Sequence, residues 1–67
     1  MKFSYKPLWK LMIDRDIKNS DLIKAADISK STFYKLKSNE NVTTDILLKI
    51  CIALECDISE IIECAED

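Results

Sequence analysis

Apolar residues recur at intervals of three or four through most of the chain, which is the spacing of one buried face of an α-helix. Only residues 1–4 alternate loosely, as a short extended arm would. The pattern predicts five helices, over residues 5–15, 20–26, 30–37, 44–54 and 58–63. Because the connections are short, the expected fold is all-α, a compact five-helix bundle that forms a single domain over residues 1–67.

Residues with helix-capping side chains precede these stretches. The expected caps are Ser4, Asn19 or Ser20, Ser29, and Thr43 or Thr44, and Asp57 with Glu60 has the spacing of a capping box. The inward positions predict a core of Leu22, Ile28, Phe33, Leu36, Leu47, Ile50 and Leu54. Residues 64–67 follow the last helix and are expected to fray.

The second and third predicted helices are short and are joined by a turn of three or four residues, which is the arrangement of a helix-turn-helix. On a helical wheel of about 100° per residue, Phe33 and Leu36 point inward. The outward face carries no acid and consists of Lys30, Ser31, Tyr34 and Lys35. Lysine suits guanine edges or phosphates, serine pairs with several bases, and a tyrosine ring contacts a thymine methyl group. The alternative is an ordinary solvated helix face.

The charges are segregated along the chain. Ten bases and six acids give residues 1–54 a net charge of +4, whereas residues 55–67 contain six acids and no base. The overall charge of −2 therefore hides a basic body that suits a polyanionic partner. The acidic end is either a solubilising tail or a surface for a basic protein partner.

Several kinds of function are excluded by what the sequence lacks. Without histidine or glycine it has no common general base and no glycine-rich phosphate loop, and 67 residues leave no room for a deep cleft. We therefore expect no enzyme. No apolar run reaches the roughly 20 residues that span a membrane, so no membrane partner is expected.

The three cysteines, Cys51, Cys56 and Cys64, are an odd set, which favours a reducing cytoplasm over a disulfide scaffold. Neither cysteine nor histidine supplies the fourth ligand of a structural zinc site, so no metal and no cofactor are predicted. Cys51 lies on the inner side of the fourth helix and is expected to act as a small hydrophobic residue, with a thiol switch as the alternative.

Four segments, in this order and spacing, resemble the Cro/C1-type (xenobiotic-response-element-like) helix-turn-helix family. They are LWKL in the first helix, SDLIKAADIS in the second helix and turn, KSTFYKL in the third, and ILLKICIALECDISEII in the last two. The resemblance covers residues 8–62 and is greatest with short, stand-alone bacterial regulators of transcription. It implies a lambda-repressor-like domain that binds double-stranded operator DNA near a promoter as a homodimer. Because the sequence shows no separate effector module, no small-molecule ligand is expected.

The resemblance also implies which residues contact DNA. The third helix would enter the major groove, and the residues on it that would face bases or nearby backbone are Lys30, Ser31, Thr32, Tyr34 and Lys35. Asn19 and Ser20 at the start of the second helix would bind a phosphate. Apart from the resemblance, three residues at the end of the third helix and in the following turn either reach phosphates at the edge of the site or only form the turn: Lys37, Asn39 and Asn41.

This chain departs from the family pattern at a few positions. Asp27 and Asn39 stand where the family often has glycine, and both residue types tolerate a left-handed backbone. Ile23 replaces a favoured alanine, which predicts a wider contact between the second and third helices. Lys37 replaces a frequent glutamate, which adds positive charge beside the loop.

Two further expectations concern partners. Trp9 is expected to pack against the fifth helix or a partner, and a dimer surface is expected from Trp9, Phe3, Ile61 and Ile62. The alternative function is a helical protein-interaction module, antitoxin-like or anti-regulator, that acts through its acidic C-terminal end. Affinity for DNA at modest salt separates this alternative from a DNA-binding regulator.

Overall fold

The computed structural model describes residues 1–66, in which four α-helices are joined to a two-stranded sheet. A first strand, β1 (Lys2–Ser4), precedes the helices α1 (Lys6–Asp14), α2 (Asn19–Ala26), α3 (Lys30–Lys37) and α4 (Thr44–Leu54). A 3₁₀ helix (Ile58–Glu60) and a second strand, β2 (Glu63–Ala65), follow. No helix among these residues has both the length and the apolar content to cross a membrane.

The fifth helix expected over residues 58–63 is wrong. Its capping box does form, because the Asp57 amide donates to the Glu60 carboxylate at 2.9 Å and the Asp57 carboxylate accepts from the Ser59 amide at 3.1 Å. The helical turn ends at the fully buried Ile61, and β2 then pairs antiparallel with β1. A helix of about one and a half turns is marginal alone, whereas strand pairing satisfies backbone groups on both segments.

Because β2 begins at Glu63, the fraying expected for residues 64–67 is also wrong for the residues that form this strand. Cys64 lies opposite Phe3, and Ala65 lies opposite Lys2. The last residue of the expected fraying segment, at position 67, lies outside the described residues. The fold is therefore a helix-turn-helix bundle with a small sheet that joins the two ends of the described chain.

Two of the expected helix caps are replaced by neighbouring residues. The residue before α1 is Tyr5, although the Ser4 hydroxyl accepts a bond of 3.3 Å from the Lys6 amide. The residue before α2 is Lys18, and Asn19 and Ser20 are already helical. The expected caps of α3 and α4 are present, since the side-chain oxygens of Ser29 and Thr43 each accept a bond from the amide three residues later.

The core takes one large, fully buried side chain from each helix and one from the segment after the 3₁₀ helix: Leu8, Leu22, Leu36, Ile50 and Ile61. Six of the seven core residues expected from the sequence are buried, and Leu47 is half-buried. Ile61 was expected on a dimer surface, but it has no exposed area and serves the core of the monomer.

All four helices end with the same backbone motif, without glycine. Shortly after each end lies a residue in the left-handed region, with φ between 49° and 59°: Asp16, Asp27, Asn39 and Glu55. The amide of the next residue then bonds to the carbonyl five positions earlier, as from Ile17 to Met12 at 2.8 Å. This Schellman motif satisfies carbonyl groups that a helix end leaves unpaired. The left-handed backbone was expected at Asp27 and Asn39 and missed at the other two positions.

Candidate DNA-binding interface

The turn between α2 and α3 has three residues, and each has a separate structural task. The left-handed Asp27 reverses the chain, and the buried Ile28 anchors the turn in the core. The Ser29 hydroxyl accepts from the Thr32 amide at 3.1 Å and donates to the Thr32 hydroxyl at 2.9 Å. These contacts fix the start of α3 at Lys30 and set its direction relative to α2.

The two sides of α3 differ sharply in burial. Phe33 and Leu36 are buried, with 3% and 1% of their surfaces exposed. Four of the five residues expected to face DNA are exposed on the other side, and Thr32 is half-buried; Tyr34 keeps 64% of its surface in solvent. Between positions 28 and 39 the chain has three lysines and no acid. This helix therefore presents a polar, positively charged face of the kind that binds a nucleic acid.

Tyr34 is held in place although it is exposed. Its ring lies 6.1 Å from the ring of Phe33, with 68° between the two planes. This edge-to-face contact limits the positions of the Tyr34 ring, because Phe33 is fixed in the core. The aromatic group on the exposed face is therefore oriented before any partner binds.

A groove of about 350 Å³ runs from α3 to the start of α4. It is lined by Thr32, Lys35, Asn41, Val42, Thr43 and Ile46. Thr32 is half-buried at its edge, whereas Lys35 and Asn41 are exposed. Thr43 was expected only as a helix cap, and no pattern in the sequence places it beside Lys35. The structure thus adds the start of α4 to the surface that adjoins α3.

Asn19 and Ser20 occupy the first two positions of α2 and are exposed. Amide groups in the first turn of a helix have no partner within the helix and form an anion site. The Lys18 amide donates to the Asp21 carboxylate at 3.2 Å, so one acid already lies at this helix end. A phosphate that binds at Asn19 and Ser20 would contact the other free amide groups of the first turn of α2, next to the Asp21 carboxylate.

Lys37 and Asn39 have contacts within the protein that the sequence did not predict. The Lys37 ammonium lies 4.0 Å from the centre of the Trp9 ring and 5.6 Å from that of Phe33. The Trp9 ring itself lies 5.8 Å from Phe33, so it packs against α3 rather than against a fifth helix. The Asn39 side chain donates to the Phe3 carbonyl at 2.8 Å and accepts from the Tyr5 amide at 3.3 Å.

Tyr5 adds a further link between the N-terminal segment and the loop after α3. Its hydroxyl donates to the Glu40 carbonyl at 2.9 Å. Burial raises the pKa of this phenol, and a hydrogen bond from the Val42 backbone opposes that effect. The loop that follows α3 is therefore fixed to the N-terminal segment by two side chains, Asn39 and Tyr5.

A short turn between two helices, with an exposed basic face on the second, defines a helix-turn-helix DNA-binding protein. The sequence model of the Cro/C1-type HTH DNA-binding domain matches residues 7–67, and the chain belongs to this family. The family resemblance inferred from the sequence is confirmed. No curated protein gives a significant match.

A solved structure agrees with this assignment. The chain is similar to the transcriptional regulator VanUg, whose form II crystal structure has a TM-score of 0.93 and 52% sequence identity over 98% of this chain and 88% of that chain. The protein is therefore a DNA-binding protein of a family of transcriptional regulators and not an enzyme.

Proposed function

We propose that the protein is a sequence-specific regulator of transcription that acts in the cytoplasm and binds a double-stranded operator near a promoter as a homodimer, with α3 in the major groove. The observation that carries this proposal is the exposed, acid-free face of α3, formed by Lys30, Ser31, Tyr34 and Lys35. Their side chains combine groups that bind phosphates with groups that bind base edges.

The size of α3 supports this placement. An α-helix with its side chains is about 10–12 Å across, the major groove of B-DNA is about 12 Å wide, and the eight residues of α3 extend about 12 Å along it. The contacts of Ser29 with Thr32 and of Phe33 with Tyr34 hold the helix and its aromatic group in one arrangement. A preformed reading surface loses less conformational entropy on binding.

The elements on either side of α3 offer positions for the DNA backbone. Asn19 and Ser20 lie at the start of α2, where helix amides favour an anion. Lys35, Asn41 and Thr43 line the groove that leads to the start of α4. A duplex seated on α3 would place phosphates near both helix starts. Backbone contacts of this kind fix the register of a reading helix without specifying sequence.

The dimer surface needs a different assignment from the one expected, because Ile61 is buried and Trp9 contacts Phe33. Phe3 remains exposed over 57% of its surface, and Ile52 on α4 over 68%. Sedimentation of Phe3→Lys and Ile52→Lys variants, compared with the parent chain, tests both surfaces. If dimers form and neither substitution weakens them, both surfaces are excluded.

Sequence-specific DNA binding is tested by letting the purified protein select from a library of random duplex DNA at about 100 mM salt. A palindromic motif with half-sites about 34–36 Å apart, or a multiple of that spacing, supports a dimeric reader. A short motif without symmetry supports DNA binding and contradicts the homodimer. If a folded, helical sample enriches nothing, the proposal fails, and the interaction module becomes the better explanation.

Two charge reversals locate the reading surface. Lys35→Glu is expected to weaken specific binding at least tenfold, because it replaces a cation on the α3 face with an anion. Lys49→Glu, an equal change on the exposed side of α4, is expected to have a much smaller effect. Circular dichroism checks that both variants are folded. Equal losses in the two variants would show that net charge, not α3, governs binding.

Deletion of residues 64–67 is not a suitable test of the interaction module. Cys64 and Ala65 belong to β2, so their deletion removes part of the sheet. Glu66→Lys changes the charge of the acidic end and leaves the residues of both strands unchanged. Loss of DNA binding in this variant would contradict the proposed placement of the DNA on α3.

A further inference from the structure

Two cysteines, Cys51 and Cys56, lie at the end of α4, at the two positions that the Schellman hydrogen bond joins. Glu55 is left-handed with φ 49°, and the Cys56 amide donates to the Cys51 carbonyl at 3.0 Å. In a Schellman motif, the side chains of the two residues joined by this bond contact each other. The backbone therefore directs the Cys51 and Cys56 side chains toward one another.

The other three helix ends show what this pair of positions normally holds here. The residues joined by the same bond are Met12 with Ile17, Ile23 with Ile28, and Lys35 with Glu40. The first two pairs are apolar and the third has opposite charges, so each pair is suited to side-chain contact. At α4 the two positions hold thiols, and each thiol shifts the pKa of the other.

Small reagents have access to this thiol pair. Both cysteines are half-buried and line one groove of about 480 Å³ between α4 and the 3₁₀ helix. The rest of its lining includes Leu47, Leu48 and Ile58. Cys64 lies elsewhere, exposed on β2 opposite Phe3. Among residues 1–66, no group of three or more potential ligand side chains is arranged to hold a metal ion, so the pair is better suited to oxidation than to metal binding.

We propose that Cys51 and Cys56 are a dithiol modification site, which low-molecular-weight disulfides oxidise to an intramolecular disulfide. One cysteine thiolate attacks the small disulfide, forms a mixed disulfide and releases one small thiolate. The second cysteine thiolate attacks the bonded protein sulfur and releases the other small thiolate. The protein loses two electrons and two protons, and the small disulfide gains them as two thiols.

The surroundings of the pair determine how fast this reaction proceeds. Burial raises the pKa of both thiols, and the nearby Glu60 carboxylate raises both further, whereas the Arg15 guanidinium lowers that of Cys56. Asp57 also raises the pKa of Cys51. The pair thus remains protonated at neutral pH, and its oxidation is expected to accelerate as the pH rises. Because these surroundings do not stabilise a thiolate in the reduced protein, the disulfide is expected to resist reduction once it has formed.

The position of the pair predicts the consequence of oxidation. The eleven residues of α4 span about 16 Å, and the pair lies at the end away from Thr43 and the groove beside α3. The disulfide would join the end of α4 to the segment before the 3₁₀ helix. We expect it to stabilise the fold and to change DNA affinity by less than about twofold, because the face of α3 is unaffected.

The test uses the full-length Cys64→Ser variant, which keeps the pair and removes the exposed thiol. Treatment with oxidised glutathione at about pH 8.5 is expected to convert both remaining thiols into one bond. The product has no covalent link between chains, is lighter by two hydrogen atoms per chain and is free of glutathione, and a reductant restores the two thiols. The Cys64→Ser/Cys56→Ser variant, which lacks the second attacking thiol, is expected to retain bound glutathione or a free thiol. Stable glutathione adducts on both cysteines of the pair, or covalent dimers, would overturn the proposal.

A second measurement separates native geometry from simple closeness in sequence. In a glutathione redox buffer, the equilibrium constant for forming the disulfide is expected to be at least about tenfold larger in the folded protein than in urea. Equal or smaller values in the folded protein would show that its structure does not favour the bond. In the glutathione adduct experiment, Cys56→Ala in the Cys64→Ser background repeats the Cys56→Ser control without introducing a serine hydroxyl.

Discussion

The side-chain amide of Asn39 donates a hydrogen bond of 2.8 Å to the backbone carbonyl of Phe3. The oxygen of the same amide accepts from the Tyr5 backbone at 3.3 Å. Asn39 itself is left-handed, with φ 59°, and ends the chain reversal after α3. One residue thus terminates the proposed reading helix and attaches its end to the N-terminal segment.

Substitution of Asn39 separates these two tasks. Asn39→Gly keeps a residue that tolerates the left-handed backbone but removes both side-chain hydrogen bonds, so the free energy of unfolding is expected to fall by about 1–2 kcal/mol. Asn39→Ala loses the same bonds and, unlike glycine, keeps a β-carbon in that conformation without the polar side chain that lets asparagine tolerate it, so it is expected to cost about 1 kcal/mol more. Urea unfolding measures both changes. An Asn39→Gly variant as stable as the parent chain would show that the hydrogen bonds contribute nothing.

Glu55 provides the opposite case. It is left-handed with φ 49°, and its side chain forms no hydrogen bond within residues 1–66. Glu55→Gly is therefore expected to stabilise the protein by about 1 kcal/mol, because glycine has no β-carbon to clash with the carbonyl oxygen. Thermal unfolding is expected to shift upward by about 4–8 °C for a domain of this size. Asp27→Gly is the control, and its gain is expected to be smaller because aspartate tolerates this conformation better.

The parts of the fold that could be predicted are those with a local cause. Ser29 and Thr43 mark the starts of α3 and α4 because their side chains bond to nearby amides, and Phe33 and Leu36 show the buried side by their spacing. The strand β2 has no such cause. Its partner, β1, is about 60 residues away along the chain, and the apolar spacing around Ile61 equally suits a helix.

In the candidate site, too, some features follow from the local sequence and others depend on residues that are distant along the chain. The outward direction of Tyr34 and Lys35 follows from helical periodicity, and both are exposed as expected. The position of Lys37 over Trp9 could not be predicted, because it depends on how α1 crosses α3. Likewise, the contact of Cys51 with Cys56 follows from a left-handed Glu55, a residue type that rarely adopts this conformation. That these exposed residues contact DNA stays a prediction.

Lys35 and Lys37 are expected to have separable effects. Lys37→Gln removes the cation from the Trp9 ring, so unfolding free energy is expected to fall by about 0.5–1 kcal/mol and the tryptophan fluorescence to change. Lys35→Gln is expected to leave the unfolding free energy and the tryptophan fluorescence unchanged and to weaken DNA binding. If Lys35 contacts a phosphate, the slope of log affinity against log salt falls by about 1. The reverse pattern, with Lys37 governing the salt slope and Lys35 governing stability, would contradict these assignments.

Tyr5 predicts how stability depends on alkaline pH. Burial raises the pKa of its phenol above the usual value of 10.0, so the unfolded chain loses this proton at a lower pH than the folded protein does. The contribution of the protonated Tyr5 phenol to the free energy of unfolding is therefore complete below about pH 10. It is lost as the pH rises through the pKa that Tyr5 has in the folded protein. The ionised phenol also cannot donate to the Glu40 carbonyl. Urea midpoints between about pH 8 and pH 11.5 are expected to fall for this reason.

The Tyr5→Phe variant isolates this contribution from that of the lysines, which also lose protons in this range. At pH 8 the variant is expected to be about 1 kcal/mol less stable than the parent chain, because the bond to Glu40 is absent. Above about pH 10 the two stability curves are expected to converge, since the parent chain then loses the same bond on ionisation. Parallel curves would mean that Tyr5 ionises equally in both states, and that its burial between the N-terminal segment and the loop after α3 does not affect its proton.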